Sequence, residues 1–179
     1  MALSLTTVRL LIRPYAQRDL DDFAEIFSDA EVMRECVPPY TREQCARWLD
    51  RFIKDPIAFA VELRRTGKMI GHALFKQLPG EEEGIYEIGW IYNRRFWRQG
   101  YAFEAARALM DYGFGTLKLH KICAETIDPL KSVPLMKKLG MREEGVFRQH
   151  TRSPEGAWAD LYWYAALRTE WEKAGDGPG

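Results

Sequence analysis

Arg95–Ala106 reads RFWRQGYAFEAA, and it decides the fold because it joins two different periodicities. Before it, Ile85–Tyr92 (IYEIGWIY) is an apolar, aromatic-rich run with the composition of a strand. After it, an alanine-rich stretch reaching about Thr116 sets Ala102, Ala105, Ala106 and Leu109 on one helical face, small enough to lie close on a sheet. Gly100 falls where the backbone turns into that helix. A strand, a tight turn and a bare helix N-terminus leave several N–H groups pointing one way, and such a place favours an anion. The helix dipole alone supplies about 0.3–2 kcal/mol, so diphosphate binding would need the N–H groups of Arg98, Gln99, Gly100, Tyr101 and Ala102 as direct donors, with Arg94, Arg95 and Arg98 adding positive charge. An ordinary strand–loop–helix joint with solvated arginines fits the same spacing. A nucleotide P-loop is excluded, because GxxxxGK followed by Ser or Thr is absent, and the first two glycines of GxGxxG are missing.

The rest of the chain supplies the other elements. Val8–Tyr15 is strand-like, Asp19–Phe27 carries Leu20, Phe23, Ala24 and Phe27 on one helical face, and Thr41 with Gln44 forms a capping box opening a helix to about Lys54. Ala58–Arg64 and Met69–Gln77 are expected to form a hairpin over Thr66–Gly67. Lys121–Thr126 is the next strand. Pro129 and Pro134 bracket the start of a short helix ending at Gly140, and Val146–Thr151 and Ala159–Leu167 are expected to pair across Ser153–Gly156. This irregular alternation predicts an α+β fold: one domain over residues 1–172 with a single mixed, mainly antiparallel sheet and helices on both faces. A flexible tail is expected over residues 173–179.

Composition sets bounds on function. The 179 residues are 46% hydrophobic, enough for one sizeable core, and 26 basic residues balance 26 acidic ones. That balance speaks against a nucleic-acid or anionic-membrane partner. No apolar run approaches a membrane span, and MALSLTTVRLLIRP, with Arg9 and Arg13 inside it, reads as a first strand rather than a signal peptide. Cys36, Cys45 and Cys123 form no CxxC pair and fit reduced, incidental thiols in a cytoplasm. His72, His120 and His150 show no ligand spacing, so no metal is expected.

RQGYAFEAA resembles the pyrophosphate loop of GNAT-superfamily N-acetyltransferases, Q/R-x-x-G-x-G/A. YEIGWIYNRRFW and GAWADLYWYAALRTEW resemble the RimJ/RimL branch, which acetylates protein N-terminal amines, and LMKKLGMREEG resembles its later "LekLGF-x-x-EG" element. The matches run in family order from about Val8 to Trp171. The resemblance implies acetyl-CoA as cosubstrate, direct acetyl transfer to a primary amine, a small-molecule or peptide acceptor, and compatibility with a homodimer. An aminoglycoside or polyamine acceptor, or a non-catalytic acyl-CoA-binding module, is the alternative.

In the resembled fold the strand Ile85–Tyr92 splays from its neighbour Lys121–Thr126, and the backbone at Ile91, Tyr92 and Asn93 binds the pantetheine arm. Glu87 is the candidate base, because a charge inside an apolar strand is costly unless paired and this branch has a glutamate there. An outward-facing residue, or one paired with a nearby arginine, is the plainer alternative. Ser132 matches the branch's serine before "LekLG" and would protonate the leaving thiolate, or it is simply a helix N-cap. Pro129 replaces a common asparagine, Met136 the tyrosine acid of other branches, and Arg98 a frequent glycine. Asp160 is either a structural hydrogen-bonding residue or an acceptor-site group.

Overall fold

The computed structural model describes residues 3–175. Eight strands form one sheet: β1 (Leu5–Thr6), β2 (Leu10–Arg13), β3 (Ala58–Leu63), β4 (Lys68–Gln77), β5 (Ile85–Tyr92), β6 (Lys121–Thr126), β7 (Arg142–Arg152) and β8 (Trp158–Leu167). Their order is β1-β2-β3-β4-β5-β6-β8-β7. Every neighbouring pair is antiparallel except β5 and β6, which run parallel. A parallel pair needs a crossover, and the helix α4 (Tyr101–Asp111) provides it.

The sheet is covered on both faces, as the alternation along β5 requires. Ile88 and Tyr92 pack with Ala105, Leu109 and Met110 of α4. On the other face lie α1 (Leu20–Phe27) and α3 (Arg42–Lys54), which bury Phe23, Ile26, Phe27, Cys45, Leu49 and Phe52 over Ala58, Ala60 and Met69. The predicted capping box closes α3: Gln44 N–H donates to Thr41 Oγ1 at 3.3 Å and Thr41 N–H to Gln44 Oε1 at 2.7 Å. In β4, Gly71 is required by close approach, since a Cβ there would lie 2.5 Å from the Tyr92 ring.

Several boundaries differ from the sequence reading. The strand expected over Val8–Tyr15 is shortened to β2, and β1 precedes it as a separate short strand, with Thr7 and Arg9 between them bonded to Glu104. The segment after α1 contains a short helix, α2 (Ala30–Met33), whose N-cap Asp29 accepts from Glu31 and Val32 N–H. α4 ends in a π-helical turn, Tyr112–Thr116. α5 (Val133–Lys138) carries Pro134 in its first turn and is followed by left-handed Gly140, as expected. The tail expected from Lys173 begins inside a helix, α6 (Arg168–Gly175); residues 176–179 lie outside the described residues. No described helix is long and apolar enough to cross a membrane.

Candidate active site

The gap in the sheet comes from mismatched pairing lengths. β5 pairs with β4 along its whole length, from Tyr86↔Gln77 to Tyr92↔Gly71. With β6 it pairs only at Ile85, Tyr86 and Glu87. Beyond Glu87↔Cys123 the two parallel strands diverge. Asn93 N–H donates to Ile70 C=O, and Leu78 N–H to Ile85 C=O. These bonds fix the alternation: odd residues of β5 turn their peptide groups toward β4, and even residues toward β6. The peptide groups of Trp90 and Tyr92 therefore face the gap. This corrects the expectation for Ile91 and Asn93, whose peptide groups face β4. The Tyr92 carbonyl is taken by the Trp97 indole at 2.7 Å, leaving its N–H as the inward donor.

At the gap's mouth lies the loop singled out from the sequence. Arg98 and Gly100 both have positive φ, 59° and 81°. For Arg98 the left-handed conformation costs about 1–2 kcal/mol, which the surrounding contacts must hold. Gly100 is the N-cap of α4 and accepts from Glu104 N–H at 3.0 Å. The N–H groups of Arg98, Gln99, Gly100, Tyr101 and Ala102 have no acceptor among the described residues. Consecutive unpaired N–H groups at a helix N-terminus are the kind of donor set an anion favours.

The loop is held from behind by residues that sequence reasoning passed over. Arg9 donates through Nη1 to Gln99 C=O at 2.9 Å, and its guanidinium lies 4.4 Å from the Tyr101 ring centre. Arg9 is itself fixed by Glu104, which accepts from Arg9 N–H at 2.8 Å, Arg9 Nε at 2.6 Å and Thr7 Oγ1 at 2.6 Å. Partial burial pushes the Glu104 carboxyl up, but these bonds and the Arg9 charge bring it below the usual value. The only sequence signal was Glu104 in the first turn of a helix with a buried neighbour face. Arg94 and Arg95, expected beside the loop, turn the other way and pair with Asp29 and Glu25, each at 3.3 Å. Arg98 remains as the arginine of the loop itself.

Loop and gap open into one groove of about 700 Å³, walled by β5, the end of β6, α2 and α5. Ser132 lines it at the N-cap of α5 without making a side-chain cap bond, so its hydroxyl is not committed to the helix. Met136 lines the groove too but is core. Glu31 and Glu35 also line it, each already paired, Glu31 with Arg34 and Glu35 with Lys131 at 2.7 Å.

Glu87 lies on the other face of the sheet from Ile88, with its carboxylate 3.2 Å from Lys76 Nζ and its side chain 16% exposed. It lines neither this groove nor the cavity beyond it. One residue pair along β6, Glu125 does line the groove; partial burial and the nearby Glu87 carboxylate push its carboxyl upward. Sequence reading missed Glu125, because nothing in KICAET marks where β5 ceases to cover β6. Asp160 is structural: it accepts from Gln149 N–H at 2.8 Å across a bulge. Cys45 and Cys123 are buried, and burial pushes the Cys123 thiol up to about 12, whereas Cys36 is exposed at the groove edge. His72 is buried among Tyr15, Phe27 and Phe52, with Nδ1 2.7 Å from Tyr15 Oη. Among the described residues no group of three or more His, Cys, Asp or Glu is placed to hold a metal ion.

A parallel strand pair that splays beside a free-donor loop and helix is the geometry of acyl-CoA binding implied by the sequence. The family model of the Acetyltransferase (GNAT) domain matches residues 9–142. The chain belongs to the GNAT acetyltransferase family. It is 40% identical over 173 residues to the uncharacterized N-acetyltransferase YnaD of Bacillus subtilis (strain 168), covering 93% of this chain and 98% of that one. The crystal structure of a GNAT-family acetyltransferase from Bacillus anthracis superposes with a TM-score of 0.86 at 34% identity, over 93% of this chain and 99% of that one. A spermidine N-acetyltransferase from Vibrio cholerae, solved with CoA and spermine, shares the fold at TM-score 0.79 and 21% identity, over 93% and 99% of the chains. This GNAT chain is thus an acetyl-CoA-dependent N-acetyltransferase.

Proposed function

We propose that this acetyltransferase acts on peptide N-terminal α-amines, as the RimJ/RimL-like segments suggest, inside the cytoplasm. The observation that carries the proposal is the single groove. The N–H donors of Arg98–Ala102 stand at its mouth, the peptide groups of Trp90 and Tyr92 face into it, and Glu125 lines it with no ion-pair partner among the described residues, whereas Glu31 and Glu35 are taken by Arg34 and Lys131. The loop donors suit a diphosphate, and the unpaired Glu125 carboxylate suits a protonated amine.

Bound acetyl-CoA supplies the activated thioester. The loop N–H groups anchor it, and the Tyr92 N–H points at the place where oxyanion charge would develop; a donor so placed is worth about 3–4 kcal/mol in other acyl transfers. Glu87, paired with Lys76, draws the ammonium proton away through water, since it does not line the groove itself. Ser132 donates to the leaving thiolate from the α5 side. An α-amine with pKa near 8 is about one-tenth neutral at pH 7, whereas a lysine near 10.4 is neutral to roughly one part in 2,500. The site therefore asks least of its base with an α-amine.

The test compares one lysine-containing peptide with a free and a blocked N-terminus, reading product by mass spectrometry. Acetylation confined to the free N-terminus is expected. Equal labelling of both peptides contradicts the α-amine reading, and turnover of spermidine alone transfers it to polyamines.

A further inference from the structure

A second cavity, of about 400 Å³, opens on the face of the sheet that carries Glu87 and Cys123. Its size is within the range of small-ligand sites. Ile85 of β5, Phe147 of β7, and Leu161 and Trp163 of β8 give it apolar and aromatic walls, with Glu81 and His150 among its polar lining. The Lys121 ammonium in its floor is taken by Glu144. Among the described residues, Glu125 is the one that lines both this cavity and the cofactor groove. Glu125 pairs directly with Trp163 across the β6–β8 ladder, and direct cross-strand neighbours stand about 5 Å apart at Cβ. Phe147 is 47% exposed, its ring centre 5.2 Å from that of His150, which also lines the cavity.

We infer that this cavity seats the body of the acceptor, and that its occupant is a compact apolar or aromatic group, such as a large apolar first side chain of a peptide, with Glu125 holding the ammonium at the passage into the groove. The inference rests on the amine-acceptor reading above and narrows it. A cation at Glu125 stands beside Trp163, its cross-strand neighbour and fellow lining residue. The walls then bury the apolar group attached to the amine. Burial and the Glu87 carboxylate push the Glu125 carboxyl above its ordinary value, against the opposing pull of Lys76 and His150.

The experiment uses the full chain and four variants of one peptide differing only at the first residue (Phe, Leu, Gly or Glu), with phenethylamine, ethylamine and spermidine as non-peptide probes. Wild type should favour Phe- and Leu-first peptides over Gly-first by about tenfold or more in kcat/KM, the scale of burying one such side chain. Phe147→Ala, a partly exposed position, should shrink that preference several-fold. Glu125→Gln should raise KM for every amine while leaving the CoA dissociation constant unchanged, with melting curves confirming the fold of both variants. A preference indifferent to the first side chain, or unmoved by Phe147→Ala, overturns the inference while leaving α-amine acetylation standing. Turnover of phenethylamine over ethylamine with no peptide acetylated supports the cavity and overturns the α-amine reading. An unchanged amine KM in Glu125→Gln removes Glu125 from the passage.

Discussion

Gly100→Pro isolates what the loop backbone does. The native φ of 81° must move to about −65°, since the proline ring allows little else; the rotation is about 146°. It also deletes one of the five free N–H groups at the mouth of the groove. A hydrogen bond to a charged group is worth about 1.5–3 kcal/mol, so losing one donor lowers CoA affinity about 10- to 150-fold. Misdirecting the neighbouring N–H groups pushes the result toward the upper end. Gly100→Ala separates the two causes. It keeps the N–H, places Cβ 3.4 Å from the flexible end of Arg9, and costs about 1–2 kcal/mol for the left-handed conformation; stability should fall more than affinity. Calorimetry with CoA, alongside thermal melts, reads both quantities. A folded Gly100→Pro protein with wild-type CoA affinity refutes the loop as the diphosphate site.

Glu104→Ala leaves the Arg9 and Thr7 donors without their acceptor and should cost about 1–3 kcal/mol of stability, with weaker CoA binding in calorimetry because Arg9 no longer holds Gln99. Glu87→Gln should lower turnover about 100- to 10,000-fold at nearly unchanged CoA affinity; near-normal turnover across pH returns Glu87 to a purely structural ion pair with Lys76. Burial pushes His72 down to about 4, below its value near 6.5 in the unfolded chain. The unfolded chain binds the extra proton between those values, so this stabilisation is complete above about pH 6.5 and is lost as pH falls toward 4, with a slope approaching about 1.4 kcal/mol per pH unit. Denaturant titrations of wild type and His72→Gln across that range should differ in slope, and identical slopes contradict the buried neutral imidazole.

The parts legible in the sequence are those fixed by local periodicity and turn chemistry. β5 and β6 fall at the predicted residues, Ile85–Tyr92 and Lys121–Thr126, and α3 starts at its capping box. The turn at Gly100 is legible as the joint between a strand and an alanine-rich helix, while its reading as a diphosphate loop over an ordinary joint comes from the resemblance of RQGYAFEAA to the GNAT pyrophosphate loop. What escaped depends on register between distant segments. Ile91 and Asn93 were named as facing the gap, yet a one-residue phase along β5, set by its pairing to β4, turns Trp90 and Tyr92 there instead. Arg9 and Glu104, ninety-five residues apart, brace the loop through contacts no spacing rule contains. Glu125 matters only because β5 stops pairing with β6 one level earlier, a consequence of strand divergence rather than of residue type.

We place acetyl transfer where β5 parts from β6. A crystal structure of the protein with CoA tests it most directly. The diphosphate should accept hydrogen bonds from the N–H groups of Arg98–Ala102, the pantetheine arm should run between the strands along Trp90 and Tyr92, and the thiol should end near Ser132 and Glu125. CoA bound outside this gap, or a diphosphate held without the Arg98–Ala102 backbone, would contradict the account.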